Sequence, residues 1–123
     1  MRQACDILLM KSILYLVRRK PGPIAEETID MVLVSGVFGQ PTSVLFIDDG
    51  VYQLLEQPGT NNRSDTARKW SALPTYEIDR IFIHERSVQE RTLDCALTPE
   101  FASMITDTQV DALLHEAASV VSD

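Results

Sequence analysis

Asp48 and Asp49 stand side by side, with the apolar run Val44-Leu45-Phe46-Ile47 before them and Gly50 behind. Paired carboxylates delivered to such a place can hold a metal ion or divide acid and base roles. The plainer alternative is that they bind the backbone N–H groups of the turn they open, as Asp before Gly commonly does. No histidine or third acid lies close in sequence, so the residues favour that second reading. A thiolate is the other group to consider, because it can attack a persulfide and carry the outer sulfur itself. Cys95, between Leu93 and Pro99, is the candidate acceptor, and its plainer alternative is a small, half-buried turn residue. Cys5 lies in a leading segment. The two cysteines form no CxxC pair and have no histidine at ligand spacing, which argues against zinc. His84 ends the apolar string Ile81-Phe82-Ile83, where an imidazole could bond a partner or activate a nearby thiol. A surface histidine with local hydrogen bonds is the plainer reading. There is no phosphate-cradling glycine motif, and neither a metal nor a cofactor is expected.

These residues need elements to carry them. Ser12 to Val17 reads as a first strand and Arg18 to Gly22 as a polar turn. A helix is expected from Pro23 to about Val34, with Pro in its first turn, acids at its positive end, and Gly36 or Gly39 stopping it. Ser43 to Ile47 is apolar without alternation, as in a strand covered on both faces. Gly50 to Leu55 reads as a short helix or turn. The stretch QPGTNNRSD, residues 57–65, is the most turn-rich part of the chain, and Ser64 or Asp65 can cap a helix over Thr66 to Leu73 that Pro74 ends. A third strand is expected within Tyr76 to Ile83, a short helix over Ser87 to Leu93, and a fourth strand from Phe101 to Ile105. Thr106-Asp107-Thr108-Gln109 has capping-box form, followed by the stripe Val110, Leu113, Leu114 and Ala117. Ser119 to Val121 makes a fifth strand. Alternating strands and helices predict an α/β fold: a single three-layer domain with a mainly parallel sheet of about five strands flanked by helices.

At 123 residues, 45% hydrophobic and 24% charged, the chain has the size and composition of one folded domain. Residues 1–10 read as a tail or start-site extension and 11–123 as the domain. A net charge of -7 repels phosphate, so direct nucleic-acid binding is not expected; Arg18-Arg19-Lys20 is too small a cluster to reverse that. The leading CDILLMKSILYLVRRK is interrupted by Asp6 and Lys11, and its main positive cluster follows the apolar run, unlike a signal sequence. No run approaches a membrane span, so the expected location is the cytoplasm. There a disulfide between Cys5 and Cys95 is not expected, and Asn62-Arg63-Ser64 is no glycosylation site. Val37, Phe38, Tyr52, Leu54, Leu55 and Trp70 exceed what one small sheet must hide. They line either a subunit interface or the core.

LFIDDGVYQLL, with KSILYLVRRKPG before it and IFIHERSVQERTL and TDTQVDALLHEAASVV after it, resembles the DsrE/DsrF-like sulfur-relay family, in particular its DsrF/TusC subunit type. The resemblance implies the same α/β architecture. It also implies membership of a heterohexamer with DsrE/TusD-like and DsrH/TusB-like subunits, fed by a small sulfur-carrier protein. The work implied is tRNA wobble 2-thiouridine synthesis or dissimilatory sulfur oxidation. The family acceptor cysteine falls at or beside His84, so the resemblance implies a non-catalytic subunit. Asp48, Asp49, Gly50 and Tyr52, at the carboxyl end of a strand, are the expected partner interface or site edge, and the resemblance implies self-association when the chain is alone. Two other readings stand beside it: a stand-alone persulfide acceptor using Cys95, and a small-ligand module using the Asp48 to Tyr52 edge with the QPGTNNRSD stretch.

Overall fold

The computed structural model describes residues 12–55 and 65–123. The expectations for residues 1–10, Cys5, the QPGTNNRSD stretch and Ser64 fall outside them. Five strands form one all-parallel sheet: β1 (Ile13–Val17), β2 (Thr42–Phe46), β3 (Arg80–His84), β4 (Ser103–Ile105) and β5 (Ser119–Ser122), in the order β4-β3-β2-β1-β5. Four α-helices connect them: α1 (Pro23–Val37), α2 (Asp65–Trp70), α3 (Glu85–Glu90) and α4 (Asp107–Glu116). Short 3₁₀ turns cover Asp48–Gln53, Leu73–Tyr76 and Cys95–Leu97.

Alternate side chains of each strand point to opposite faces, which divides the core in two. Tyr15, Val17, Val44, Phe46, Ile81 and Ile83 meet Ile29 and Val32 of α1, Trp70 of α2 and Val88 of α3 on one face. Leu14, Leu45 and Phe82 meet Val110 and Leu113 of α4 on the other. The chain steps from β1 through β4 in one direction with its helices on the first face. It then reverses to reach β5, and right-handed crossover puts α4 on the opposite face. The register aligns Val17 with Phe46, Phe46 with Ile83, and His84 with Ile105, so the strands' carboxyl ends form one straight edge.

Several expected boundaries shift for local reasons. Helix α1 runs on to Val37 because Gly36 stays helical; Gly39, at φ +70°, makes the stop, and Gln40 N–H closes on the Ser35 carbonyl at 3.1 Å. Pro74 does not end a helix. Helix α2 stops at Trp70, and Pro74 instead lies in the first turn of the 3₁₀ segment, which Glu77 terminates in the left-handed region. That turn consumes Tyr76, so β3 begins at Arg80. Helix α3 begins directly after His84, two residues before the expected Ser87, and β4 keeps only the last three residues of its expected span. The capping box of α4 is present, with Thr106 and Gln109 bonding each other's backbone N–H groups.

Leu54, Leu55 and Trp70 are core residues rather than interface. Trp70 packs edge-on against Phe46, with ring centroids 4.8 Å apart. Its indole N–H donates to Gln53 Oε1 at 2.8 Å, while Gln53 Nε2 donates to the Arg19 carbonyl at 2.8 Å. A fully buried amide thus ties the turn after β1 to α2. Val37 and Phe38 are exposed, and Tyr52 is half-buried with the Lys20 ammonium 5.4 Å from its ring centre.

Candidate functional site

Parallel sheets bind ligands and partners at the strands' carboxyl ends, in the crevice where successive connections leave on opposite faces. Here that crevice lies between β3, followed by α3, and β4, followed by α4. His84 and Asp107 flank it and are bonded across it, His84 Nε2 to Asp107 Oδ1 at 2.5 Å. The other ring nitrogen, Nδ1, lies 2.7 Å from Ser87 Oγ. Ser87 Oγ also accepts the Asp48 N–H at 2.9 Å.

Serine, histidine and aspartate in a row have the order of a nucleophile, its base and an orienting acid. The arrangement here lacks the access such chemistry needs, since Ser87 is 1% exposed and His84 8%. The group acts as a brace that fixes the β2 turn, α3 and α4 to one another. His84 is accordingly a buried histidine rather than the surface one expected, because α3 and α4 converge on it. Asp107 entered the sequence reading only as part of a capping box, and Ser87 only as the start of a helix. Their spacing from His84, one helical turn for Ser87 and a whole βα connection for Asp107, makes only the first of these visible in sequence.

The paired carboxylates are likewise occupied, though not as caps. Asp48 Oδ2 accepts from Arg18 Nε at 3.0 Å, and Asp49 Oδ1 from Arg91 Nε at 3.1 Å. Neither bonds the backbone of the turn it opens. Arg91 also donates to the Ser87 carbonyl at 3.2 Å, and Arg18 N–H to Asp123 Oδ1 at 2.9 Å. A polar belt therefore crosses the ends of all five strands: Asp123, Arg18, Asp48, Ser87, His84 and Asp107. Among the described residues no cluster of three metal-ligating side chains exists. Gly50 completes the edge from beneath. Its backbone lies so close to β1 that a Cβ would come under 3.0 Å from the Val17 carbonyl group, leaving room for glycine alone.

Cys95 lies elsewhere, in the exposed 3₁₀ turn after α3. It is exposed rather than half-buried as expected; in its turn Asp94 Oδ1 accepts from Ala96 N–H at 2.9 Å and the Thr98 hydroxyl donates to the Cys95 carbonyl at 2.7 Å. Neither bond involves the thiol.

The hydrogen bond from His84 holds the Asp107 carboxyl below its ordinary pKa; partial desolvation opposes this and the nearby Arg86 charge supports it. A carboxylate whose folded pKa is lowered stabilises the fold above its unfolded value of about 3.9, and that contribution is lost as pH falls through the folded value. Asp107→Asn should therefore lower the urea midpoint at pH 6, and the gap to the parent should close below about pH 4. An equal gap at pH 6 and pH 3 would show that the carboxylate's charge plays no part.

Residues 11–122 match the DsrE/DsrF-like family. The chain belongs to that family. Among curated relatives it is 36% identical over 116 residues to the intracellular sulfur oxidation protein DsrF of Allochromatium vinosum, covering 87% of this chain and 83% of that one. It is 35% identical over 89 residues to a TusC homolog of Pseudomonas aeruginosa, covering 69% and 75%. The crystal structure of the ychN protein from E. coli superposes with a TM-score of 0.74 at 10% identity, over 93% of this chain and all of that one. That likeness bears on the fold, and it agrees with the five-stranded parallel sheet of this DsrE/DsrF-like chain. Among the described residues no helix is long and apolar enough to cross a membrane.

Proposed function

We propose that this chain is a non-catalytic, DsrF/TusC-like subunit of a cytoplasmic sulfurtransferase complex. In this reading it joins a DsrE/TusD-like subunit that carries the acceptor cysteine and a small DsrH/TusB-like subunit in a heterohexamer. A small carrier protein brings persulfide sulfur to the acceptor subunit. The destination is the wobble 2-thiouridine of tRNA or the oxidation of stored sulfur, matching the relatives named TusC and DsrF. With its net charge of -7 the chain serves RNA through its partners rather than by contact.

The observation that carries this reading is His84. It stands where the resemblance places the family acceptor thiol, and it is buried and bonded at both nitrogens. The exposure of Cys95 supports one alternative, in which that thiol accepts sulfur by itself. One assay separates the two. A desulfurase-charged carrier is offered to this chain alone and to this chain mixed with its acceptor subunit, with intact-mass detection of one added sulfur atom. Sulfur is expected on the acceptor subunit and not here. An adduct on this chain that Cys95→Ser abolishes would replace the proposed role with that of an acceptor.

A further inference from the structure

Helix α1 buries Ala25, Ile29 and Val32 against the sheet but leaves a second apolar face outside. Ile24, Met31, Val34 and Phe38 are 47%, 49%, 52% and 78% exposed. With the exposed Glu27 they fall at positions 24, 27, 31, 34 and 38, an alternation of threes and fours. That alternation produces one straight seam along a helix and is the spacing by which two helices pack side by side. Val37, 65% exposed, lies beside this seam rather than in it, and Phe38 continues it from the C-cap of the helix. Beside the seam, a groove of about 210 Å³ between α1 and edge strand β5 has an apolar side, Ile24, Met31 and Val121, and a polar one that includes Glu27 and Asp123.

Charge decides what kind of helix fits. Between Pro23 and Val37 the charged residues are Glu26, Glu27 and Asp30, with no cation among them. Glu26 is paired with Lys69, whereas Glu27 and Asp30 have no cation opposite them among the described residues. Two copies of α1 meeting about a two-fold axis would bring these acids together on chains that each carry a net charge of -7. A heterologous helix with an apolar stripe flanked by Lys or Arg meets neither penalty.

We propose that the exposed face of α1 is the docking seam for an amphipathic, basic-flanked helix of a neighbouring subunit. The inference rests on the subunit reading above for the identity of that neighbour. It places the joint on α1, next to the Asp123 end of the polar belt and away from His84 and Asp107.

The test uses the full chain and the acceptor-cysteine subunit, co-expressed and then titrated as purified proteins. Met31→Arg/Val34→Arg should weaken their association by about thirtyfold or more, as expected for the centre of an interface. Glu27→Lys should weaken it by up to about fivefold, and less as salt rises. Leu114→Arg, on the exposed side of α4, should leave it unchanged, and circular dichroism melts check that each variant is folded. A complex that forms normally with the folded double variant overturns the seam and leaves the subunit reading standing. No complex with the parent chain overturns both. A parent chain that is dimeric alone, and that the double variant makes monomeric, shows a second copy on the seam and overturns the heterologous partner.

Discussion

Gly50→Ala is expected to yield little folded protein, and whatever folds should melt roughly 15 °C or more below the parent. The obstacle is backbone against backbone. The added methyl would lie on the Val17 carbonyl, at the carboxyl end of the β1–β2 ladder where it accepts the Ile47 N–H, and no rotamer can turn aside. Relief requires the Asp48–Gln53 turn to lift from the sheet, taking buried Val51 and Gln53 with it. A loss on the order of 4 kcal/mol is a large share of the 5–15 kcal/mol typical of a domain. At about 4 °C per kcal/mol for this size it gives the stated shift. Gly36→Ala makes the comparison sharp, since its nearest neighbour is the flexible tip of Ile78 at 2.8 Å. Thermal melts of the two should differ widely. A Gly50→Ala protein melting within a few degrees of the parent would mean that the turn does not rest on β1.

Gln53→Leu should be the next most damaging change, although the side chain keeps nearly its volume. It strips partners from the buried Trp70 indole N–H and from the Arg19 carbonyl, whose bond to Gln53 is partly buried. The stranded indole N–H costs about 1–3 kcal/mol and the lost carbonyl bond about 1 kcal/mol, so a combined loss of roughly 2–4 kcal/mol and a melting shift of about 8–16 °C are expected. Trp70 is the single tryptophan, so its emission reports the event directly. A variant with unchanged melting and unchanged emission would show that the amide bridge contributes nothing.

Much of the fold was legible because its signals are local. An unbroken apolar run marked β2 as a strand covered on both faces, Pro23 marked the start of α1, and Thr106 with Gln109 marked the start of α4. The site was legible only by position. That Asp48, Asp49 and His84 sit at one edge follows from strands ending there. What they bond does not, because Arg18, Arg91 and Asp107 come from distant parts of the chain. The same limit explains Trp70 and Cys95. Apolar character told that Trp70 had to be covered without telling that Phe46 and Gln53 would cover it. The small size of Cys95 suggested shelter, and its turn leaves it exposed.

The bracing of His84 bears on whether a thiol could be installed here. On the proposed reading this is the place of the family acceptor thiol, and His84→Cys looks like a simple way to supply it. It is not one. Cysteine cannot span from Ser87 to Asp107, so the change would sever both bonds and leave the sulfur beneath α3 and α4. Acceptor chemistry at this position calls for an opened strand end as well as a thiol, and a single substitution supplies only the second.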